Sequence, residues 1–164
     1  MTKGKWIDRV IFRVRAIKTK SYVARKSDIM INKSVNFDRW CYFTARGGKI
    51  IISKNTFLNS QVILNADLGG LIYISQNCII GPRVIMRTAN HNYSNIFKPK
   101  RSQGHSVGSI KIGENVWIGA GVTVLPGVTI GDNTVIGAGA VVSRNIPNNC
   151  VAMGIPAKII KNLA

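Results

Sequence analysis

Two histidines, His91 and His105, are the side chains of this sequence best suited to move a proton near neutral pH, and the chain contains no others. Both lie in one stretch, residues 87–111, and polar Asn90 and Asn92 flank the first of them. A loop of this length inside a compact fold is uncommon and is usually functional. We therefore predict a general base here, with His91 as the first candidate and His105 as the second.

Other site chemistries have weaker support. Two histidines with distant acids do not supply the three or so ligands at fixed spacing that a zinc site needs, so we expect no metal. No Ser–His–Asp or Cys–His arrangement is indicated. The three cysteines, an odd number, predict no disulfide framework and point to a reducing compartment. For Cys78 we expect a role in core packing.

The elements that position the histidines follow from a repeat of six residues. From residue 112 to residue 142 an apolar anchor returns every six positions: Ile112, Ile118, Val124, Ile130, Ile136 and Val142. Helices repeat every 3.6 residues and strands every two, so the pattern indicates a short strand, a corner and a new strand. Three such sides close a coil of about eighteen residues, and coils stack into a solenoid.

The same pattern divides the chain. Anchors align in four coils: Ile52/Leu58/Leu64, Ile74/Ile80/Met86, Ile112/Ile118/Val124 and Ile130/Ile136/Val142. We predict a β-helix domain over residues 29–147 with the loop 87–111 inserted, preceded by a basic segment (1–28) and followed by a tail (148–164). A first coil over residues 31–43 is expected to be irregular. The extra residues leave from one corner of the coil, and such an edge usually binds the ligand.

The charge of the chain indicates anionic partners. Lys and Arg number 23 against six acids, a net charge of +17, which favours phosphorylated cofactors, acidic glycans, anionic lipid or nucleic acid; a solvated basic surface is the alternative. The basic residues are spread without an aromatic-rich recognition motif, so nucleic acid is disfavoured. No apolar run approaches the roughly 20 residues of a membrane span, and no signal peptide is evident, so we expect a cytoplasmic protein.

Residues 1–20 place apolar side chains at helical spacing among basic ones, which predicts a basic amphipathic helix. Such a helix either docks on the solenoid end and covers its open strand edge, or contacts the anionic inner face of a membrane peripherally. A second surface feature is an apolar stripe at outward positions of the repeat: Phe57, Ile79, Trp117 and Val135. Stripes of this kind predict self-association in a closed ring of identical subunits.

The hexapeptide series, the segment ANHNY, the run NVWIGAGVTVLPGVTIGDNTVIGAGAVVSRNIP and the terminal VAMGIPAKIIK resemble the hexapeptide-repeat acyltransferases. The resemblance covers residues 47–163 and is closest to the maltose/galactoside acetyltransferase group and its polysaccharide O-acetyltransferase relatives. It implies an all-β, left-handed parallel β-helix, a homotrimer with active sites between subunits, and acetyl-CoA as donor. It also implies that His91 takes the proton of a hydroxyl that attacks the thioester directly.

Six residues match cofactor positions of this family. Ala120 and Ala138 match positions whose backbone meets the pantetheine arm, although corner packing explains each alanine equally well. Ser143 and Arg144 match a pair that is usually Thr-Lys. Lys158 and Lys161 match basic residues near the adenosine phosphates, where the family often has Arg; a lysine supplies a point charge instead of a two-pronged hydrogen-bonding group.

The acceptor positions match less well. Gln61 stands where the maltose/galactoside type has Asn, and Asp67 is expected to hold a hydroxyl or to orient His91. Asn90 and Trp117 are further candidates for acceptor contact, although the apolar stripe explains the tryptophan equally well. The basic N-terminal segment replaces most of the N-terminal domain of that type, which favours a glycan or a lipid-linked saccharide over a small free sugar.

The sequence therefore predicts an acetyl-CoA-dependent O-acetyltransferase of a saccharide, in the biosynthesis of a surface polysaccharide or its precursor. One alternative is an amino-sugar N-acyltransferase or a small-alcohol acetyltransferase. The other is a non-catalytic basic solenoid that binds membrane or nucleic acid.

Overall fold

The computed structural model describes residues 22–23 and 28–163, so the predicted helix over residues 1–20 lies outside the described residues. The described chain is built of short β-strands and one turn of 3₁₀ helix, Lys100–Ser102. The strands are β1 (Tyr22–Val23), β2 (Ile29–Ile31), β3 (Asn36–Phe37), β4 (Tyr42–Arg46), β5 (Lys49–Ile52), β6 (Phe57–Leu58), β7 (Ile63–Asp67), β8 (Leu71–Ile74), β9 (Ile79–Ile80), β10 (Ile85–Arg87), β11 (Ala89–His91), β12 (His105–Val107), β13 (Ile110–Ile112), β14 (Trp117–Ile118), β15 (Thr123–Val124), β16 (Thr129–Ile130), β17 (Val135–Ile136), β18 (Val141–Val142), β19 (Cys150–Met153) and β20 (Lys158–Asn162).

Successive strands visit three sheets in turn, and this gives the molecule a triangular cross-section. Sheet 1 has the order β2-β5-β8-β13-β16, sheet 2 the order β3-β6-β9-β14-β17-β19-β20, and sheet 3 the order β1-β4-β7-β10-β15-β18. Within each sheet, equivalent strands of neighbouring coils pair in parallel, apart from β20, which turns back against β19. The prediction of an all-β, left-handed parallel β-helix is confirmed.

The six-residue anchors form the core of the prism, as the repeat predicts. Ile118 and Ile136 stack as register partners on sheet 2, and both are fully buried, because each strand directs its anchor inward. The corners use the residues that accept a left-handed backbone: Asn115, Gly121 and Asn133 have φ values of 55°, 68° and 53°.

The first coil is more regular than its sequence predicts. Ile31, Phe37 and Phe43 stack in register on Ile52, Leu58 and Leu64, one pair in each sheet. The corner residue Trp40 has a φ of 64°, although tryptophan is a poor residue for that conformation. Backbone pairing with the second coil imposes this conformation on Trp40. A pattern of Gly and Asn corners in the sequence therefore does not predict it.

The edges of the prism differ in what they carry. We call them edge 1–2, edge 2–3 and edge 3–1 after the sheets they join. The long loop leaves from edge 3–1 after β10 and returns before β13, and it contains the antiparallel pair of β11 and β12. Strands β4 and β7, with five residues each, also run on towards this edge. The prediction that the insertions share one corner is therefore confirmed.

Candidate active site

His91 ends β11 on the hairpin that projects from edge 3–1, and its side chain is exposed to solvent. The base of the hairpin is fixed to the prism, because Thr88 N–H donates to the Asn65 carbonyl at 3.1 Å and Gly108 N–H donates to the Thr88 carbonyl at 2.9 Å. The imidazole is therefore held outside the apolar core on a short, anchored strand.

His105 begins β12 directly opposite His91 in the antiparallel ladder. The centroids of the two imidazole rings are 4.2 Å apart, and the ring planes are tilted by 39°. Within the described part of the chain, neither ring has a hydrogen-bond partner. The two candidate bases thus form one contact pair, a relation that their separation in sequence does not reveal.

Asp67 ends β7 on the same edge as the hairpin. Its backbone is fixed by Thr88, whose Oγ1 accepts a hydrogen bond from Asp67 N–H at 2.8 Å and donates one to the Asp67 carbonyl at 3.1 Å. Its carboxylate atom Oδ1 is buried and has no hydrogen-bond partner among the described residues. The structure contains no hydrogen bond between Asp67 and His91, and an unpartnered buried carboxylate oxygen is costly.

Ala120 and Ala138 lie on edge 2–3, at equivalent corners of successive coils. Gly139 N–H donates to the Ala120 carbonyl at 2.8 Å, so the two corners stack directly. Ala138 is exposed and Ala120 half-buried, which leaves the backbone of this edge accessible. Gln61 lies on the same edge in the second coil, where it is an exposed corner residue with a φ of 62°.

The remaining predicted residues fall on two surfaces. Ser143 and Arg144 follow β18 and are exposed on edge 3–1, in a coil nearer the C-terminus than the hairpin. Lys158 and Lys161 lie on β20, at the C-terminal end of sheet 2. Their Cα register partners are Met153 and Val151 of β19. Asn90 precedes His91 on β11, opposite Ser106.

Trp117 lies on the outer face of sheet 2 in line with Ile79 and Val135, and 54% of its surface is exposed. Phe57, the register partner of Ile79 in the preceding coil, continues this line, and 39% of its surface is exposed. The structure confirms that the predicted apolar stripe faces outward. It leaves both interpretations of the tryptophan open, because an exposed ring serves an acceptor pocket or a subunit contact equally well.

One chain brings the predicted site residues together in two groups. His91, Asn90, Asp67, Ser143 and Arg144 lie on or beside edge 3–1, whereas Ala120, Ala138 and Gln61 lie on edge 2–3. The whole width of sheet 3 separates the groups, which is at most about 20 Å for a side of six residues. A ligand held along edge 2–3 would therefore lie on the far side of sheet 3 from His91 of the same chain.

The charges are also segregated. Glu114 and Asp132 lie on edge 1–2, where they line a polar cavity of about 410 Å³ with Asn77, Asn115 and Asn133. Among the residues that the structure describes, the carboxylate on edge 2–3 is Asp38, in the first coil and away from the alanine corners. Lys158 and Lys161 lie at the C-terminal end of the adjoining sheet 2. An anionic ligand is therefore better accommodated along edge 2–3 than along edge 1–2.

Cysteine and metal chemistry have little basis in the residues that the structure describes. Cys78 is fully buried, and its Sγ donates to the Gly113 carbonyl at 3.1 Å. Burial raises the pKa of its thiol from 9.0 to about 11, so it stays protonated near neutral pH. In the described ranges no group of three or more His, Cys, Asp or Glu side chains is placed to hold a metal ion. In the same ranges, no helix is long and apolar enough to span a bilayer.

A three-sided parallel β-helix with its insertions on one edge defines a class of transferase solenoids. The family model "Bacterial transferase hexapeptide (six repeats)" matches residues 109–144, a span that runs from just before β13 to just after β18. WbbJ of Escherichia coli, provisionally named a lipopolysaccharide biosynthesis O-acetyl transferase, is 32% identical over 164 residues, which cover 94% of this chain and 83% of WbbJ. The chain belongs to the hexapeptide-repeat transferase family.

Solved structures agree with this assignment. A maltose O-acetyltransferase from Clostridium difficile 630 superposes with a TM-score of 0.63 at 35% identity, covering 84% of this chain and 68% of that one. A hexapeptide-repeat acetyltransferase from Vibrio cholerae, complexed with acetyl coenzyme A, superposes with a TM-score of 0.64 at 28% identity, covering 89% and 69%. The chain spans only about half of several curated relatives, between 44% and 60% of their length.

Proposed function

We propose that the chain is an acetyl-CoA-dependent O-acetyltransferase of a saccharide, with His91 as general base. The observation that carries the proposal is an exposed imidazole on an anchored hairpin at the insertion edge of a hexapeptide β-helix. The names of the relatives support a saccharide acceptor, and that of WbbJ supports a surface polysaccharide or its precursor.

Acetyl-CoA would supply the acetyl thioester. Two features of the chain support binding of this elongated, anionic molecule. The alanine corners of edge 2–3 have small side chains that leave the backbone accessible, and the lysines of β20 supply positive charge. Each lysine is exposed, so its contribution is to attract the phosphates and not to bury them. Arg144 and Ser143 lie on the other edge of sheet 3 and would reach such a ligand only from a neighbouring chain.

The work left to this chain is to bind the acceptor hydroxyl and remove its proton. Asp67 would accept a hydrogen bond from a sugar hydroxyl by turning its carboxylate outward, because the missing partner of its buried Oδ1 is costly. An unprotonated ring nitrogen of His91 would accept the proton of the hydroxyl as its oxygen bonds to the acetyl carbon, and would return that proton to the CoA sulfur as the thioester C–S bond breaks. Gln61, Asn90 and Trp117 are the further residues proposed for acceptor contact.

The proposal includes a homotrimer. The alanine corners and His91 lie at opposite edges of sheet 3, so a second copy is needed to place the base of one chain beside the corner of another. The exposed stripe of Phe57, Ile79 and Trp117 supports self-association, since apolar surface of this kind is stabilised by burial. A threefold ring closes with one type of contact, in which each chain contributes each edge once.

The test is release of CoA from acetyl-CoA by the purified chain, measured with a thiol reagent against a panel of oligosaccharides, amino sugars and serine. We expect turnover with an oligosaccharide, and His91→Ala should reduce it by about 10²- to 10⁴-fold. Lys111→Ala, an exposed change on sheet 1, is the matched control and should retain wild-type turnover. Circular dichroism must show that both variants fold.

The alternatives predict different results in the same assay. Turnover limited to amino sugars or to serine would favour an N-acyltransferase or a small-alcohol acetyltransferase. A non-catalytic solenoid would release no CoA above the blank with any acceptor, and replacing His91 would leave its binding properties intact.

We also propose a cytoplasmic protein whose residues 1–20 hold it peripherally at the inner face of a membrane. The support is the basic amphipathic pattern of that segment and the net charge of +17. The test is co-sedimentation of the full chain with vesicles of anionic lipid, compared with a variant in which Lys3, Lys5, Arg9 and Arg13 are glutamine. Equal binding of the two chains would contradict the role of the segment.

A further inference from the structure

The hairpin places a second imidazole against the proposed base. Pairing of Ala89 with Val107, Asn90 with Ser106 and His91 with His105 fixes the ladder. Residues directly opposite each other project from the same side of an antiparallel pair, so the two rings meet. Their 4.2 Å centroid distance is that of a close aromatic contact, and the 39° tilt brings one face of each ring towards the other.

The position of His105 does not depend on the His91 side chain. The loop that joins β11 to β12 is closed by Asn92, whose N–H donates to the Gly104 carbonyl at 3.0 Å and whose Nδ2 donates to the Gln103 carbonyl at 3.1 Å. The Gln103 amide in turn bonds to Asn95 and Lys98 across the loop. His105 therefore begins its strand from a loop that polar contacts hold in shape.

An exposed histidine without a contact would sample several rotamers, and catalysis requires one of them. His91 has no hydrogen-bond partner in the described chain, and its ring contact is with His105, which can restrict its rotamers. We propose that His105 is a positioning residue of the O-acetyltransferase, whose ring supports the His91 ring in the orientation that receives the acceptor proton. This inference rests on the proposed function and assigns His105 no contact with substrate.

Two substitutions separate a supporting ring from a second proton-transfer group. His105→Ala removes the ring, and His105→Phe keeps a flat ring without nitrogen. We expect His105→Ala to lower kcat about three- to tenfold, the effect of losing one aromatic pair, with KM for acetyl-CoA unchanged. His105→Phe should recover most of that loss. The His105 side chain is exposed, so the fold should tolerate either substitution.

The kinetic result would overturn the inference in two ways. Wild-type turnover in His105→Ala would mean that His91 needs no support. A His105→Phe enzyme as slow as His105→Ala would mean that the nitrogens, and not the ring, are required. If the wild-type chain releases no CoA with any acceptor, the proposed function fails, and this outcome is distinct from either of the others.

A measurement that does not depend on activity tests the contact itself. The chain has two histidines, so protein labelled with ¹³C-histidine gives two ring Hε1 signals, which His91→Ala assigns. The His91 signal should move downfield in His105→Ala, because the shielding of the neighbouring ring is lost, and should stay near its wild-type position in His105→Phe. A His91 signal that is the same in all three proteins would show that the rings do not stack, and the inference would be wrong.

Discussion

Cys78 offers a quantitative test of the interior of the β-helix. Its side chain points inward four residues after the anchor Ile74, where no part of it is exposed. Burial is the largest cause of the raised pKa of its thiol, and the charges of Glu114 and Asp132 raise it further, whereas backbone hydrogen bonds lower it. The result is a shift from 9.0 to about 11.

The raised pKa makes stability depend on pH with a defined sign. In the unfolded chain the thiol ionises above pH 9.0, whereas in the folded chain it ionises only near pH 11. The contribution of the buried thiol is therefore fully present below pH 9 and is lost as the pH rises to about 11. A pKa difference of about two corresponds to about 2.7 kcal/mol at the high-pH limit, and about 2 kcal/mol is lost by pH 10.5.

The assay is urea unfolding of the wild type and Cys78→Val at pH 8 and at pH 10.5, at one protein concentration. Valine suits the site, because Val116 and Val122 occupy the equivalent inward position after other anchors. Other titrating groups are common to both proteins, so the wild type should lose about 2 kcal/mol more than the variant between the two pH values. Equal losses would refute the burial argument.

The same site bears on the mechanism. A thiol with a pKa near 11 supplies almost no thiolate at pH 7, and Cys78 should resist iodoacetamide in the folded protein. An acyl-enzyme intermediate on this cysteine is therefore disfavoured, in agreement with the proposed direct transfer to the acceptor.

Three further predictions concern the corners and the outer face. Asn133 has a φ of 53° and donates to Asn149 Oδ1 at 3.0 Å, so Asn133→Ala should cost about 1–2 kcal/mol in urea unfolding and Asn133→Gly less; the reverse order would contradict the corner argument. A Cβ on Gly119 would lie 2.6 Å from the Ala138 nitrogen, so Gly119→Ala should lower the melting temperature, and an unchanged value would mean that the coils separate easily. Ile79→Glu should shift sedimentation towards monomer while Thr129→Glu, on sheet 1, should not; the same assembly in both would place the interface elsewhere.

Much of the fold could be predicted because the repeat is local. Each anchor, such as Ile118, recurs at a fixed spacing, and each Asn or Gly corner carries its own conformational preference, so a short window of sequence contains the signal. The regularity of the first coil could not be predicted, because its corner at Trp40 takes its conformation from pairing with the next coil. Contacts between coils are long-range and leave no mark on the local pattern.

The candidate site could be predicted in part, and its residues stay a prediction. The loop and His91 could be located from loop length and residue type, and Asp67 from its insertion on the same edge. The pairing of His91 with His105 could not, because the register of β11 and β12 is set by how the loop between residues 92 and 104 closes. Gly104, with a φ of 74° just before β12, is a local sign of the turn that leads into this strand.

The division of the proposed site between two edges leads to a prediction about mixed assemblies. His91→Ala should lower turnover at least about 100-fold, and Ala138→Trp, which fills the exposed corner of edge 2–3, should have a comparable effect. Co-refolded in equal amounts, they should regain about one quarter of wild-type activity, because random assortment makes one contact in four from an intact His91 and an intact Ala138. If base and corner acted within one chain, every chain of the mixture would carry one defect, and no activity would return. Turnover that stays at the level of the single variants after mixing, with assembly verified by sedimentation, would therefore refute the shared site.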